Sequence, residues 1–351
     1  MYLPNKTYTA MSESIRIAIL GLSHDHIWDN LPFIVEHPDA SLIAAFSQHE
    51  ELLGRAKSEY GIAIYGDFED LFNNESFDAV YVYGSNLEGA QWAIQAASNG
   101  KHVLVEKPMA ASAAQADEMI ATARMNNVRL MVNWPFAWWP QLQKALQMAK
   151  AGEIGDLWQV KYRAAHAGPQ ELGCSPYFCD WLFNPELNGG GAMMDYCCYG
   201  AVLASVLLGL PSRVSGFAGR LRKENIVVED NAMITMTYPR AMATAEGSWT
   251  QIGKLTAYTT AIYGSQGTLM VEPRDGGRLL LATEEDPEGS AVELGDACST
   301  KVNSAAHFIH CLQSGEAFQM LCQDRICRDA QEILEAGRLS SENGADVSLP
   351  L

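Results

Sequence analysis

From residue 15 onward the chain alternates short apolar runs with longer stretches in which apolar positions recur every three or four residues. Residues 15–20 form an apolar run broken only by Arg16 and closed by Gly21, and residues 28–36 carry helical spacing, so the opening reads as strand, tight turn and helix. The unit then repeats. Residues 42–46, 79–83, 102–105 and 129–132 read as further buried strands, with helices over 52–60, 88–99 (stopped by Gly100) and 113–126. Strands alternating with helices predict a parallel sheet joined by right-handed crossovers. Ligands of such a sheet lie at the carboxyl ends of its strands. The second half is richer in strands: 157–165, 214–220, 232–238, 242–250, 256–263 and 268–272, with a helix over 195–208 before most of them and a closing helix over 322–342. The expected fold class is α/β, with a flexible tail at 1–13, a dinucleotide-binding domain at 14–133 and a substrate-binding and oligomerisation domain at 134–351.

A chain of 351 residues, 48% hydrophobic and 19% charged, must bury its apolar surplus in a compact body of about two domains. Its formal charge of −18 repels phosphate backbones and anionic lipid, so neither nucleic acid nor a membrane surface is an expected partner. The stretch 201–210 is about half a membrane span. Residues 1–14 are polar and run into an apolar strand without a small-residue cleavage site, which predicts a cytoplasmic protein. All eight cysteines lie beyond residue 170 in spacings that match no zinc or redox motif, and reduced, buried thiols are expected. His307 and His310 sit three apart on a predicted helix and read as a surface pair, so no metal site is expected.

The unusual residues fall at the predicted strand ends: 21–26, 47–49, 84–86, 106–108 and 133–134. Five ends converging on one crevice argue for a dinucleotide more strongly than the glycine signature does. A full Gly-x-Gly-x-x-Gly beginning at Gly21 would need glycine where Ser23 and His26 stand. Helix N-terminal amides can still hold a pyrophosphate, with Ser23 and His24 adding hydrogen bonds. The plain alternative for this loop is a strand–helix turn with no nucleotide. Gly84, Ser85, Asn86, Glu106, Lys107, Pro108 and Trp134 complete the expected cofactor contacts. Ser47 stands where an acidic residue normally grips the ribose hydroxyls and rejects a 2′-phosphate. NAD or NADP is therefore expected, with NADP favoured, although no Arg or Lys follows until Arg55 and Glu50 and Glu51 have the wrong sign.

Four motifs carry a family resemblance: residues 100–108 ending in Glu106-Lys107-Pro108, Gly152-Glu153-Ile154-Gly155, the triple glycine 189–191 followed by Asp195, and residues 264–268. With these the chain resembles the Gfo/Idh/MocA oxidoreductases from residue 15 to its last residues. The resemblance implies a nucleotide-binding domain followed by an α/β domain on a large, mostly antiparallel open sheet, and homodimers or homotetramers assembled through that sheet. It implies that Lys107 touches substrate hydroxyl and cofactor, that Asp195 orients them, and that the Lys107–Pro108 bond is cis. Tyr199 stands where the family usually has His, as in glucose-fructose oxidoreductase and related sugar dehydrogenases. Val202 replaces a second family Asp, and Gly89 stands where a His often follows the third strand.

A hydride leaves carbon readily only if the hydroxyl proton leaves too, which sets the expected mechanism: Tyr199 takes the proton of a secondary alcohol while hydride passes to the nicotinamide. A phenol of pKa near 10 needs a depression of roughly 3 units, about 4 kcal/mol, to act as a base at neutral pH, and an adjacent Lys107 ammonium would help to supply it. Asp195, one helical turn before Tyr199, would hydrogen-bond substrate or balance Lys107. The aromatic run 134–139, with Tyr177, Phe178 and Trp181, suggests stacking on a sugar or glycoside, and His166 at a strand end is a further substrate contact. Each group also has an ordinary reading: a solvated charge, a half-buried ring, a helix-start acid. Two other functions fit the same residues. One is a redox-assisted glycosidase or sugar lyase that retains its cofactor, and the other is a non-catalytic nucleotide-binding sensor.

Overall fold

The computed structural model describes residues 14–274, 276–296 and 298–351; the tail expected at 1–13 lies outside the described residues. The first layer is built from β1 (Ile15–Leu20), α1 (His26–Val35), β2 (Ala40–Phe46), α2 (Glu50–Tyr60), β3 (Ala63–Tyr65), α3 (Phe68–Asn74), β4 (Ala79–Val82), α4 (Asn86–Ser98), β5 (His102–Glu106), α5 (Ala113–Met125) and β6 (Leu130–Asn133). Six parallel strands lie in the order β3-β2-β1-β4-β5-β6, so the order reverses between β1 and β4 and a crevice opens at their carboxyl ends. Local chemistry fixes the helix starts. Ser85 caps α4 by accepting from the Glu88 amide while its hydroxyl donates to Glu88, and Ser112 caps α5 through Gln115. Gly61 and Gly152 end helices in the left-handed conformation. Sequence spacing gave five strands here. The sixth, β3, has three residues, too few to show a period, and α3 is signalled only by its Asp67 cap.

The second layer follows α6 (Pro140–Ala151): β7 (Leu157–Ala165), α7 (Pro176–Leu182), α8 (Pro185–Asn188), α9 (Cys198–Leu208), β8 (Arg213–Gly219), β9 (Asn231–Thr237), β10 (Met242–Ser248), β11 (Tyr258–Gly264), β12 (Thr268–Val271), β13 (Leu279–Ala282), β14 (Ser290–Ala291), α10 (Ser304–Ser314), α11 (Asp324–Asn343) and β15 (Val347–Ser348). Nine strands pair in the order β14-β13-β12-β11-β7-β10-β9-β8-β15, antiparallel except for β7 beside β10. Alternation sorts the faces. Val160, Tyr162, Val214, Ile234, Met236, Ala243 and Ala245 are buried beneath α6, α9 and α11, while Phe217, Met233, Met242 and Met270 point out from the other face, which carries no helix among the described residues.

The helix expected over 195–208 is not one regular helix. Residues Met193–Cys197 form a π turn and α9 begins at Cys198. The stretch Pro185–Leu208 is long and apolar enough to cross a membrane by composition, but 83% of its most apolar window is buried inside the protein, where it packs between sheet and α11.

Candidate active site

β5 is buried from Val103 to Glu106 and delivers Glu106 and Lys107 to the crevice, and the Lys107–Pro108 bond is cis. Lys107 Nζ donates to Asp195 Oδ1 at 2.8 Å and to the Asp195 carbonyl at 3.2 Å. Asp195 projects from the π turn, and its second oxygen accepts from Trp249 Nε1 at 3.1 Å. Burial works against the charge on Lys107, but the Asp195 carboxylate outweighs it and holds the ammonium above the ordinary lysine range. Burial likewise opposes the Asp195 charge, and the nearby Lys107 ammonium wins, keeping the carboxyl below its usual value. The pair is therefore ionised at neutral pH.

Tyr199 lies beside the pair. Lys107 Nζ sits 5.0 Å from the centre of its ring, over the face. Phe136, Trp134 and Tyr162 pack around the phenol at 4.9, 5.5 and 5.6 Å, Tyr162 in parallel stacking. Burial, with the Cys198, Glu106 and Asp195 groups adding, pushes the phenol well above 10. The expected depression is thus reversed: Lys107 addresses the ring face, its hydrogen bonds go to Asp195, and desolvation dominates. Tyr196, on the same turn, lies 6.1 Å from Tyr199 and edge-on to His166 at 5.0 Å. His166 Nδ1 accepts from the Gly168 amide at 2.8 Å, and burial, opposed by Asp195, lowers its pKa.

On the crevice side, Gly21 has φ +84°, and a Cβ there would stand 2.9 Å from the Gly84 amide nitrogen and 2.5 Å from the Trp92 ring. The two strand-end turns therefore meet backbone to backbone, a contact only glycine permits. His24, Gly84, Ser85, Asn86, Glu106 and Pro108 line one cleft at the point where the strand order reverses. The Ser47 hydroxyl accepts from the His49 amide at 3.2 Å. Asn86 is engaged elsewhere, donating to the Asn188 side chain at 2.8 Å and its carbonyl at 3.0 Å. Trp134 is shut in the core, 1% exposed, with its indole donating to Cys327 Sγ at 3.4 Å. It backs Tyr199 from below, a correction to its expected place on the cofactor.

The segment 166–183 crosses from the second layer onto the first. Ser175 donates to Asp25 twice, at 2.7 Å from its amide and 2.5 Å from its hydroxyl, and Tyr177 donates to Glu51 while its ring meets His49 at 4.9 Å. Trp181 Nε1 reaches the Ser23 carbonyl at 3.4 Å, and Phe178 and Trp181 close on His24 at 4.8 and 5.5 Å. Trp181, expected at the substrate, thus lies on the glycine-turn loop. Trp249 was not foreseen, because it belongs to no motif and its partner is remote in sequence; Asp25, Glu51 and Tyr196 lie in stretches already singled out, but their contacts here were not foreseen.

The expectation of a surface histidine pair needs one correction. His307 is buried, its Nδ1 on the Thr300 carbonyl and its Nε2 accepting from the Gln319 amide, so only His310, bonded to Glu316, stands at the surface. All eight cysteines are free thiols; six are buried, while Cys174 is partly exposed and Cys298 exposed. No ligand set was expected, yet His24, His26 and Glu106 gather within metal-binding distance of one another. The spacing of two histidines around Asp25 was the only sequence hint.

Comparison with known proteins agrees with the fold. A family model described as the oxidoreductase family with an NAD-binding Rossmann fold matches residues 15–134, and the GFO/IDH/MocA C-terminal domain model matches 142–270. The chain is 28% identical over 345 residues to dTDP-3,4-didehydro-2,6-dideoxy-alpha-D-glucose 3-reductase of Streptomyces violaceoruber, covering 95% of this chain and 96% of that one. The enzyme of the same name from Streptomyces antibioticus is 28% identical over 225 residues, 64% of this chain and 66% of its own length. The crystal structure of the WlbA dehydrogenase from Bordetella pertussis in complex with NADH and UDP-GlcNAcA superposes with a TM-score of 0.82 at 21% identity, covering 98% of this chain and all of that one, and shares the fold.

Proposed function

Because the chain belongs to the Gfo/Idh/MocA oxidoreductases and opens with their NAD-binding Rossmann domain, we propose that it transfers a hydride between a nicotinamide and a secondary alcohol carbon of a sugar or glycoside. The buried Lys107–Asp195 pair, braced by Trp249 and faced by Tyr199 at the rim of the cofactor crevice, carries the reading. Two observations support a dinucleotide in the crevice: its strand order reverses at the cleft, and Gly21 and Gly84 leave no room for a side chain between the two turns. Gly21, Ser23, His24 and His26 would hold the pyrophosphate side, Ser47 the ribose, and Gly84, Ser85, Glu106, Lys107 and Pro108 the nicotinamide side. The bound nicotinamide would supply or accept the hydride.

The protein's own part concerns the proton. Lys107 stays an ammonium; two of its three donors go to Asp195, and we assign the third to the reacting substrate oxygen. Tyr199 rests as a phenol and presents its proton to that oxygen. Two donors aimed at one oxygen favour charge developing there. At rest, the pair therefore holds the protonation state of ketone reduction. In that direction, Tyr199 would give its proton to the oxygen as the carbonyl carbon is reduced, and a proton from solvent would return the phenol. His166, across Tyr196, would set the far end of the sugar. Ser47 carries no charge to reject a 2′-phosphate, which supports NADP over NAD; a side-by-side titration in which NAD binds as tightly would reverse that preference.

We also infer a homodimer or homotetramer formed through the open sheet face, where Phe217 and Met233 stand opposite each other across β8 and β9 at 67% and 38% exposure.

The deciding experiment is a panel of sugars, keto-sugars and glycosides assayed with both cofactors, following reduced nicotinamide and released aglycone together. Stoichiometric change in reduced nicotinamide is expected, with Lys107→Met and Tyr199→Phe each lowering kcat by about 10²- to 10⁴-fold. Aglycone release without net change of cofactor would point to a redox-assisted glycosidase, and unaltered turnover in both variants would sink the assignment.

A further inference from the structure

We propose that His24, His26 and Glu106 form a binding site for a divalent transition-metal ion of the zinc class, and that an ion held there excludes the dinucleotide from the crevice. Ring nitrogens of the two histidines and a carboxylate oxygen of Glu106 all lie within 4.8 Å of one another, although the residues come from the β1–α1 turn and the end of β5. His26 Nδ1 and Glu106 Oε1 are already 3.0 Å apart. Two ligands at about 2.0–2.1 Å from a tetrahedral ion stand about 3.3 Å from each other, a spacing the His26–Glu106 pair already approaches, and His24 would have to draw in to complete it. Two imidazoles and one carboxylate are a donor set that zinc accepts while leaving a fourth position open.

The surroundings are those of a supported site. Asn133 Nδ2 holds Glu106 Oε2 at 2.7 Å, and Asn133 is itself fixed by Trp138 Nε1 at 3.0 Å, which supplies the outer-shell bonding that orients a ligating carboxylate. Phe178 and Trp181 wall the His24 ring against water. The His26 side chain is 33% exposed, which provides an entry path. The nearby Lys107 ammonium is matched by Asp195, so the ion would meet one uncompensated carboxylate in a chain of net charge −18. Loading the site transfers no electrons; any proton on a ligating nitrogen goes to solvent.

The exclusion rests on the proposed dinucleotide crevice, because Glu106 and His24 line the same cleft. The metal site itself does not. Calorimetric titration of Zn²⁺ into the full chain, freed of metal by a chelator and assayed without dinucleotide, should show one ion per chain. His24→Asn, His26→Gln and Glu106→Gln should each weaken it about tenfold or more, whereas His310→Gln should leave it unchanged. Thermal melts give a second reading that does not depend on the variants: Zn²⁺ should raise the Tm of the unaltered chain. Titrations of NADPH fluorescence at rising Zn²⁺ should then show an apparent Kd climbing in proportion to the metal concentration. Absence of one-to-one binding, or equal affinity in all three ligand variants, overturns the site. An NADPH Kd indifferent to bound Zn²⁺ overturns the exclusion. Failure of NADPH to bind at all would instead count against the crevice assignment, leaving the calorimetry to judge the metal.

Discussion

Asp195 takes a hydrogen bond on each carboxylate oxygen, one from Lys107 and one from Trp249, and this two-sided grip fixes where the lysine ammonium points. Trp249→Phe removes the donor together with part of a fully buried side chain, so the Tm should fall as well; the lost hydrogen bond, roughly 1–2 kcal/mol, should also lower kcat/KM about tenfold through kcat, and an unaltered kcat in the folded variant would show that Trp249 only packs. Burial keeps the Tyr199 phenol protonated across the neutral range. Reduction should therefore be nearly independent of pH between about 6 and 9, while alcohol oxidation, which needs the phenolate, should keep rising with pH. Paired profiles on one substrate test this, and a plateau of oxidation near neutrality would refute it. Lys107 and Asp195 were legible because each sits in a recognisable string of residues. Trp249 was not, since a tryptophan just beyond a strand carries no periodic signal and its partner is 54 positions away. The Tyr199 phenol was misjudged because sequence shows a neighbouring ammonium but not the four rings that dry the hydroxyl's surroundings.

Between residue and molecule, the second layer depends on close approach. A Cβ on Gly216 of β8 would stand 1.9 Å from the Gly337 carbonyl of α11, with rigid backbone on both sides. Gly216→Ala should thus destabilise by about 2–3 kcal/mol or more, read as a lower urea midpoint with unchanged m; an unaltered midpoint would mean that α11 shifts freely. Elements with a full period were readable in advance: the long strands β7 to β11 and the capped helices α4 and α5 lie within two residues of expectation. Short pieces were not. β14 and β15 have two residues each and exist through pairing rather than pattern. The π turn Met193–Cys197 hides inside a run whose hydropathy reads as ordinary helix; here Ala192 and Tyr196 pack closely against Gly247 on β10, a tertiary contact the run does not show.

At the scale of the whole molecule, two layers share one crevice and leave one broad sheet face without a helix among the described residues. If that face joins subunits, light scattering should give at least twice the 38.4 kDa chain mass, and Phe217→Asp with Met233→Asp should return the monomer. Acid should loosen the fold through two histidines, His307 buried and His102 half-buried. Burial draws His102 down to about 4, with Arg129 adding, and draws His307 to about 4 against the Thr300 carbonyl. Both are neutral in the native state while the unfolded chain binds protons below pH 6.5. Their stabilisation is thus complete above that pH and is lost as it falls toward 4, by about 2 kcal/mol each at pH 5. His307→Gln should flatten the slope of stability between pH 7 and 5, and an unchanged slope would refute it. The segment 166–183, fastened to Asp25 and Glu51, has a kinetic corollary. If the proposed coenzyme seats under that clasp, it would leave only after Ser175 and Tyr177 let go, and multiple turnovers should then be limited by that release rather than by the chemistry. Loosening the latch, as in Asp25→Ala, should then hasten departure of the used coenzyme while the first turnover keeps its pace.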